Sequence, residues 1–339
     1  MLTLKEMAEK MNVGVSTVSA VLNDKEYCYI SKVKRALIKK TAMEAGYIPN
    51  RMARGLKGLS THTVGIVAPL FVVPIADTLI QALSDVLWEY GYAAMIGNHR
   101  HRESENRIIR EFLSRGIDGL IIHTGQTKGD IERLLNGRVP CVFLNRDVEG
   151  CVTLDRRKGA FMAVEHLIVR HRSKKVGFVC TEYESNLEKI EGYKRALAEH
   201  RIRFKAGHCM EVDYSLDGAD EAVSRILSLG LDSVLASSDF VAGYLIKQLS
   251  SRGIRVPDDI AVIGFDAVDD ICNLVNPTLT SVRQPVAMVA DSAVELLLKK
   301  IAGETPPDVS HYIEPSLKIG QSCGCGKGAL VKTKRRGRS

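Results

Sequence analysis

Residues 3–23 read TLKEMAEKMNVGVSTVSAVLN, and this stretch decides the fold of the N-terminal region. Thr3 is a candidate N-cap, Glu6 three residues later completes a capping box, and residues 12–14 predict a tight turn. Apolar side chains recur at helical spacing on both sides of this turn, at Leu4, Met7, Ala8, Met11, Val18, Val21 and Leu22. Two short helices joined by a three-residue turn are typical of a helix-turn-helix.

A third helix is expected next, followed by a distinctive polar segment. Ser31 is a plausible N-cap for this helix, and Gly46 is a candidate C′ residue. Residues 47–58 then read YIPNRMARGLKG. Together with TVSAVLN at residues 17–23, this segment closely resembles the hinge of the LacI–GalR repressor family, which directly follows the family's helix-turn-helix.

The resemblance implies how the hinge acts on DNA. In the family, paired hinges become helical on operator DNA and enter the minor groove, where a leucine wedges between base pairs. Leu56 occupies that position. Such a wedge costs a few kcal/mol of unstacking per base step, which wider contact with the bent duplex offsets. The neighbouring Arg54 and Lys57 offer Leu56 little apolar core, which favours the wedge over a packing role.

The second helix is expected to read DNA through its first exposed positions, Val15, Ser16 and Ala20. None is a large polar side chain, so we expect few hydrogen bonds to the bases. Instead, we expect Val15 and Ala20 to contact thymine methyl groups. Family phosphate contacts match Thr17, Ser19, Asn23 and Ser31, for which capping or solvated surface is the alternative. The other residues implied to touch DNA are Thr3, Tyr47, Asn50, Ala53, Arg54 and Leu56.

The charge of the chain is concentrated at its two ends. Residues 1–60 hold 11 Lys and Arg against 5 Asp and Glu, and residues 327–339 hold 6 against none. Residues 61–326 hold 30 against 35. This asymmetry predicts a polyanion-binding head on an ordinary globular body. The basic tail, 327–339, is expected to be disordered, and it either adds phosphate affinity or merely aids solubility.

From residue 63 onward, strand-length apolar runs alternate with amphipathic helical stretches. The predicted strands are 63–68, 93–97, 119–123, 141–144, 176–180, 233–236 and 261–264. The predicted helices are 76–90, 104–115, 159–170, 188–200, 217–229, 240–252 and 286–302. Such alternation predicts α/β structure with parallel strands covered by helices, and chain length leaves open whether there are one or two sheets.

Local motifs extend the family resemblance through the body. They are GIDGLII at 116–122, AVEHL at 163–167, EGYKRAL at 191–197, VPDDI at 256–260, VIGFD at 262–266 and PTLTSVRQP at 277–285. The resemblance implies a periplasmic-binding-protein-like sensor with two doubly wound lobes behind an all-α helix-turn-helix headpiece. The implied domains are 1–46 for the headpiece, 47–60 for the hinge, 61–326 for the sensor and 327–339 for the tail. Lobe one is expected at about 61–156 and 285–312, and lobe two at about 157–284 and 313–325.

A ligand of such a sensor is expected beyond the carboxyl ends of the strands, where the two lobes face one cleft. The effector-binding positions carried over from the family are Phe71, Asn145, Leu154, Lys189, Tyr214, Asp239, Phe240 and Asp266. The carboxylates suit sugar hydroxyls, and Tyr214 suits a ring face. Lys189 stands where the family commonly has arginine, and the loop 69–74 is unusually apolar, so a less polar ligand, or none, stays open. Each position could also be a satisfied surface or capping residue.

The sequence carries no motif for catalysis or for a metal cofactor. It has no P-loop, no G-x-S-x-G elbow, no H-E-x-x-H and no dinucleotide fingerprint, so we expect that the protein is not an enzyme. Its eight cysteines include no C-x-x-C pair. Cys323 and Cys325 have no histidine or further cysteine near them in the sequence, so we expect no metal site and no cofactor.

These observations predict a sequence-specific transcription regulator. The resemblance implies a repressor that binds a two-fold operator as a homodimer and responds to a small effector, a sugar or a related metabolite. No secretory signal and no run of 18 apolar residues occurs, so a cytoplasmic location without a membrane partner is expected. A soluble solute-binding or sensor protein without a DNA-reading role is the alternative, and an enzyme of the doubly wound class is a second one.

Overall fold

A computed structural model describes the chain at residues 3–22, 30–47, 59–68, 74–98, 102–123, 126–144, 151–307 and 310–325. The chain divides into two compact units, Met1–His62 and Thr63–Ser339. The first unit is the helical headpiece and the second is an α/β body.

The described part of the headpiece contains three helices: α1 at Leu4–Met11, α2 at Val15–Leu22 and α3 at Lys32–Glu44. The predicted capping box is present, because Thr3 Oγ1 accepts from the backbone of Glu6 while the Glu6 carboxylate accepts from the backbone N–H of Thr3. Asn12 ends α1 in the left-handed conformation, which starts the turn into α2. Ser31 caps α3 by accepting from Lys34 N at 3.3 Å.

The headpiece has its own small core. Its buried side chains are Met7, Ala8, Val18, Val21, Ile38 and Ala42. All three helices contribute to this core, and Leu4, Met11, Leu22 and Tyr47 pack around it half-buried. The apolar spacing seen in the sequence therefore marks the faces on which the three helices meet.

Lobe one of the body is a six-stranded sheet with helices on both faces. Its strands are β1 (Thr63–Ala68), β2 (Ala93–Asn98), β3 (Gly119–Ile122), β4 (Cys141–Leu144), β5 (Cys151–Leu154) and β11 (His311–Ile313). Its helices are α4 (Pro74–Glu89), α5 (Arg102–Ser114), α6 (Lys128–Leu135) and α12 (Val286–Ile301). The strand order is β11-β5-β4-β3-β1-β2, and every pairing is parallel.

Alternate side chains of β1 enter different cores, which explains why the strand is apolar throughout. Val64 and Ile66 pack with Leu83 of α4 and with α12, whereas Val67 packs with Ile109 of α5 on the other face. A strand buried on both faces reads as a continuous apolar run rather than as an alternating one.

Lobe two repeats this architecture. Its strands are β6 (Val176–Cys180), β7 (Cys209–Glu211), β8 (Ser233–Ala236), β9 (Ala261–Asp266), β10 (Thr280–Arg283) and β12 (Ser316–Lys318). Its helices are α7 (Arg156–His171), α8 (Leu187–Glu199), α9 (Leu216–Leu229), α10 (Asp239–Ser251) and the short α11 (Asp269–Leu274). The order is β12-β10-β9-β8-β6-β7, and only the β12–β10 pairing is antiparallel. Helices α7 and α8 cover one face, and α9 and α10 cover the other.

The chain passes between the two sheets three times. It leaves β5 for α7 at Asp155, leaves β10 for α12 at residues 284–285, and leaves β11 for β12 at residues 314–315. Asp155 caps α7, and its backbone N–H donates to Ile313 O at 3.1 Å, so the first and third crossings lie side by side. Short crossings of this kind are where hinge motion between two lobes takes place.

Every predicted strand and helix is present in the body, with bounds that differ by up to three residues. The count of seven strands was too low, because the structure also contains β5, β7, β10, β11 and β12. Three of these, β7, β11 and β12, are only three residues long and leave little pattern in the sequence. The choice between one and two sheets is settled as two. Across the ranges given above, no helix has both the length and the apolar character needed to cross a bilayer.

The packing of α7 against α8 yields a stability prediction. A methyl group on Gly192 of α8 would overlap the carbonyl oxygen of Arg157 and press on the Cβ of Ala160. We expect Gly192→Ala to lower the free energy of unfolding by about 1–3 kcal/mol, because two helices must separate. Urea unfolding measures this change. Gly129→Ala in α6 is the matched control, since nothing lies within 4 Å of its added methyl group. Equal stability of the two variants would contradict the close approach.

Candidate functional sites

The outer face of α2 is small, uncharged and open to solvent. Val15 is 45% exposed and Ser16 is also exposed, whereas Val18 and Val21 are fully buried. At about 100° per residue, Ser16 and Ala20 lie on the side of the helix opposite Val18 and Val21. The structure thus gathers the predicted base-reading residues on one face, with Ala20 half-buried at its margin.

Two predicted DNA contacts serve as helix caps in the headpiece. The side-chain oxygens of Thr3 and Ser31 accept from backbone N–H groups of the first turns of α1 and α3. Thr17 and Ser19 lie half-buried on α2. Tyr47 packs on the headpiece core, its backbone N–H donates to Ala42 O at 2.9 Å, and burial raises the pKa of its hydroxyl.

Several predicted contacts lie outside the described residues. On the DNA side these are Asn23, Asn50, Ala53, Arg54 and Leu56, and on the effector side they are Phe71 and Asn145. The roles of these seven positions remain predictions from the sequence.

The body brings five of the six other predicted ligand residues, Lys189, Tyr214, Asp239, Phe240 and Asp266, to one place in lobe two. The strand order 10-9-8-6-7 reverses direction between β6 and β8, which creates a crevice at the carboxyl ends of these strands. Lys189 of α8 reaches this point, where its Nζ donates to Ser237 O at 2.7 Å and lies 4.3 Å from the ring centroid of Phe265. Burial lowers the pKa of this lysine to about 8, although the nearby Asp266 carboxylate opposes the shift.

Asp239, the first residue of α10, is almost wholly buried at 1% exposure. Its carboxylate accepts from the hydroxyl of Ser281 and from the backbone N–H of Val268 at 2.7 Å. Burial and the nearby Asp266 raise the pKa of Asp239 to about 7. A Cβ at Gly264 would collide with this carboxylate, so the glycine in β9 makes room for it.

Asp266 ends β9 in an unusual backbone conformation. Its φ is 114°, and that of Ala267 is 51°, in a region that L residues rarely adopt. The Asp266 carboxylate accepts from Gln284 Nε2 at 2.6 Å, at the crossing between the lobes. Burial raises its pKa to about 6, and the charge of Lys189 acts in the opposite direction.

An aromatic group stands beside these charges. The ring centroids of Tyr214 and Phe240 are 5.9 Å apart, and Tyr244 of α10 lies about equally far from both. Tyr214 is 41% exposed and therefore presents an aromatic surface at the carboxyl edge of the sheet. Burial of its hydroxyl raises the pKa of this tyrosine.

Leu154 is not part of this group, because its side chain is 1% exposed and lies in the core between the sheet and α7. Sequence reasoning missed three residues of the site: Ser281 and Gln284, which bond the two carboxylates, and Arg156, whose charge acts on Lys189 and Asp266. The PTLTSVRQP motif already contained the first two, yet their bonds could not be read from it.

Both units, the headpiece and the α/β body, match known protein families. The residues 3–50 match a family model described as bacterial regulatory proteins, lacI family, and residues 164–323 match one described as a periplasmic binding protein-like domain. The structure superposes on the lac repressor dimer bound to operator and the anti-inducer ONPF with a TM-score of 0.83 at 22% identity, covering 95% of this chain and 98% of that one. This likeness shows a shared fold.

Similarity in sequence extends over almost the whole chain. The HTH-type transcriptional regulator GalR of Salmonella typhimurium strain LT2 is 30% identical over 328 residues, which is 94% of each protein. Catabolite control protein A of Priestia megaterium is 31% identical over 315 residues, 89% of this chain and 93% of that protein. A helix-turn-helix headpiece before a two-lobed binding domain defines a DNA-binding transcription regulator. This chain belongs to the lacI family of bacterial regulatory proteins.

The two buried carboxylates predict a pH dependence of stability. Asp239 and Asp266 have folded-state pKa values raised above the ordinary value of 3.8, so the folded protein holds their protons more tightly than the unfolded chain. Their contribution to stability is fully present below the unfolded pKa and is lost as the pH rises through the folded pKa. We therefore expect that the free energy of unfolding contains a component that grows as the pH falls from about 8 toward about 5.

Asp239→Asn should reduce this component, because the amide carries no charge at any of these pH values and only Asp266 of the pair still titrates. Urea unfolding at several pH values compares it with wild type and with Asp291→Asn, an exposed carboxylate of α12. The control should keep the wild-type slope. The same slope in Asp239→Asn would show that the Asp239 carboxyl is not the group that titrates.

Proposed function

We propose that this regulator is a repressor that binds a two-fold operator as a homodimer and is controlled by a small sugar-like effector held in the body. The observation that carries the proposal is the coexistence, in one chain, of a lacI-type headpiece and a body in which charged side chains such as Lys189 and Asp266 meet at a strand switch point. A solute-binding protein without a DNA-reading role would have no use for the headpiece.

The surface of α2 favours a particular mode of DNA reading. Val15, Ser16 and Ala20 offer two apolar groups and one short hydroxyl, which suit thymine methyl groups better than the hydrogen-bonding edges of guanine. Positive charge is found instead on α3, where Lys32, Lys34, Arg35, Lys39 and Lys40 can approach phosphates. We infer that much of the operator specificity comes from the hinge and from the deformability of the DNA.

The hinge leucine provides the direct test. Leu56→Ala should weaken specific operator binding by at least tenfold, since about 1.4 kcal/mol of lost wedge contact already has that effect, while salt-sensitive binding to random DNA stays nearly unchanged. Fluorescence anisotropy with operator and random duplexes measures both affinities at fixed salt.

Leu274→Ala is the matched control, because this leucine is 84% exposed on lobe two and outside the headpiece. Its operator affinity should equal that of wild type. An equal loss of specific and random binding in Leu56→Ala would remove the wedge role.

The lobe-two crevice supports a polyhydroxyl ligand. Lys189 and Asp266 supply a donor and an acceptor, and the exposed face of Tyr214 can stack on a sugar ring. Related proteins point the same way: a regulator named CelR, 25% identical, was solved as a cellobiose complex, and a relative 29% identical is called ribose operon repressor. We propose a sugar or a closely related metabolite.

Asp239 has a supporting part in this proposal. Its carboxylate accepts hydrogen bonds from the backbone N–H of Val268 and from the Ser281 hydroxyl, and these bonds hold the loop that follows Asp266. Because both of its carboxylate oxygens already accept hydrogen bonds from the protein, we assign it a positioning role for the strained backbone at Asp266 rather than a contact with the ligand.

Lys189 tests the crevice. Lys189→Met keeps the length and apolar stem of the side chain and removes the cation, so it should abolish the thermal shift produced by the cognate sugar and should leave operator affinity without sugar unchanged. Differential scanning fluorimetry with a panel that includes ribose and cellobiose identifies the responding sugar on the wild type first.

Lys247→Met is the control, since Lys247 is an exposed lysine of α10. It should respond to the sugar as wild type does. A full response in Lys189→Met would place the ligand elsewhere, and no response of the wild type to any polyhydroxyl compound would contradict the sugar proposal itself.

Dimerisation is proposed through the body. Large apolar side chains are exposed at the end of α4 and on the neighbouring edge strand β2, namely Trp88 at 74%, Tyr90 at 57% and Ile96 at 48%. Exposed apolar patches of this kind mark interaction surfaces. A two-fold operator needs two symmetric headpieces, which a body dimer supplies. We also propose that the protein acts in the cytoplasm, where its operator lies, and that it has no catalytic role.

Selection of bound genomic fragments by the full chain, beside a variant that lacks residues 1–60, tests the whole proposal. The full chain should enrich pseudo-palindromic sites at a stoichiometry of two chains per site, and the truncated protein should enrich none. Enrichment by the truncated protein would contradict the role of the headpiece, and turnover of a sugar would revive the enzyme alternative.

A further inference from the structure

Four metal-binding side chains meet at the C-terminal end of the described chain. They are His166 and His171 of α7 together with Cys323 and Cys325, and their ligand atoms all lie within 4.8 Å of one another. Cys325 Sγ is 3.4 Å from Nε2 of His166 and 3.4 Å from Nε2 of His171, and these two nitrogens are 3.2 Å apart. From the sequence we expected an isolated cysteine pair without metal. The two histidines could not be anticipated, because each is more than 150 positions from Cys325 in the chain.

These separations match the edges of a zinc tetrahedron. With Zn–N of about 2.0–2.1 Å and Zn–S of about 2.3 Å, tetrahedral geometry places two nitrogens about 3.3 Å apart and a nitrogen and a sulfur about 3.5 Å apart. The three contacts among His166, His171 and Cys325 have these lengths within about 0.2 Å, the usual tolerance for such a site.

Cys323 is held in place by bonds that suit a thiolate ligand. The hydroxyl of Thr280 donates to Cys323 Sγ at 3.0 Å and accepts from the backbone N–H of Gly320 at 2.9 Å. Ser322 is fully buried, and its hydroxyl donates to Val262 O at 2.6 Å. The cysteine pair is thus tied to β9 and β10 before any ion binds, as outer-shell partners of metal ligands commonly are.

Gly324 allows both sulfurs to face the histidines. Its φ of 103° is accessible to glycine and strained for other residues, and a Cβ there would lie 3.2 Å from Nδ1 of His171. His171 is the last residue of α7, so the negative end of the helix dipole also favours a cation at this position.

We propose that His166, His171, Cys323 and Cys325 form a tetrahedral Cys₂His₂ zinc site. A set of two thiolates and two imidazoles selects a borderline-soft ion such as Zn²⁺ over Mg²⁺ or Ca²⁺, which prefer oxygen ligands. All four positions are filled by the protein, so the site is structural. It would fasten residues 320–325, which directly precede the basic tail, to helix α7 of lobe two.

The test uses the reduced, full-length protein without an affinity tag. Elemental analysis should find one zinc per chain, and a chelator should remove it with a lower midpoint of thermal unfolding. Cobalt added to the stripped protein should produce the visible absorption of a tetrahedral site together with a thiolate-to-metal charge-transfer band, and one equivalent of zinc should abolish both.

Two ligand variants and two matched controls locate the ion. Cys325→Ser and His171→Ala alter residues at the surface end of the site. Each variant should lose the zinc, and with cobalt its thiolate-to-metal band should be lost or shifted. Cys209→Ser and His311→Ala change the same residue types outside the cluster and should keep one zinc per chain. Thr280→Val should bind zinc about 10–100-fold more weakly, as the loss of an outer-shell bond does.

Metal-free protein with no cobalt spectrum would overturn the proposal, as would zinc that survives both ligand substitutions. A Cys323–Cys325 disulfide found in the protein as isolated under reducing conditions, seen by mass spectrometry as the loss of two hydrogens, would also overturn it. None of these measurements depends on DNA or sugar binding, so their outcome is independent of the proposed regulatory function.

Discussion

Parallel strand pairing is the constraint on which the body of this protein depends. Parallel neighbours cannot be joined by a tight turn, so each pair needs a crossover, and the crossover helices cover both faces of the sheet. Eleven of the twelve described strands, β1 to β11, share only parallel contacts with one another, and β12 is the antiparallel exception. As a consequence, the parallel strands of a lobe end at the same edge, and side chains that follow different strands come together there.

Lobe two shows what that shared edge makes possible. Lys189, Asp239 and Asp266 follow three different strands, yet their charges act on one another inside a largely dry region. Burial penalises each charge, and the cation beside two carboxylates offsets part of the penalty. Gln284 bonds Asp266 from a crossing between the lobes, so the hydrogen bonds at this edge are linked directly to the segment that joins the two sheets.

Much of the fold could be predicted from local sequence patterns. The Thr3–Glu6 capping box, the Ser31 cap and the long helices of the body were predictable, because caps and amphipathic spacing act over a few residues. The transcription-regulator prediction is confirmed by the family membership of the chain. Strands such as β11 and β12 were not predictable, since three residues carry no pattern and become strands only by pairing with β5 and β10. The role of Asp239 was also hidden, because its partners Val268 and Ser281 are 29 and 42 positions away.

The sequence by itself determined the class of protein through its resemblance to a known family. It also determined the three headpiece helices and the positions that carry charge or aromatic surface, because these depend on residue type and short-range spacing. Only the tertiary structure decided which distant side chains share one environment. It buried Asp239, placed the Leu154 side chain in the core and brought His166 and His171 to Cys325. Such contacts depend on how helices pack on the two sheets. The spacing of residues along the chain does not specify that packing.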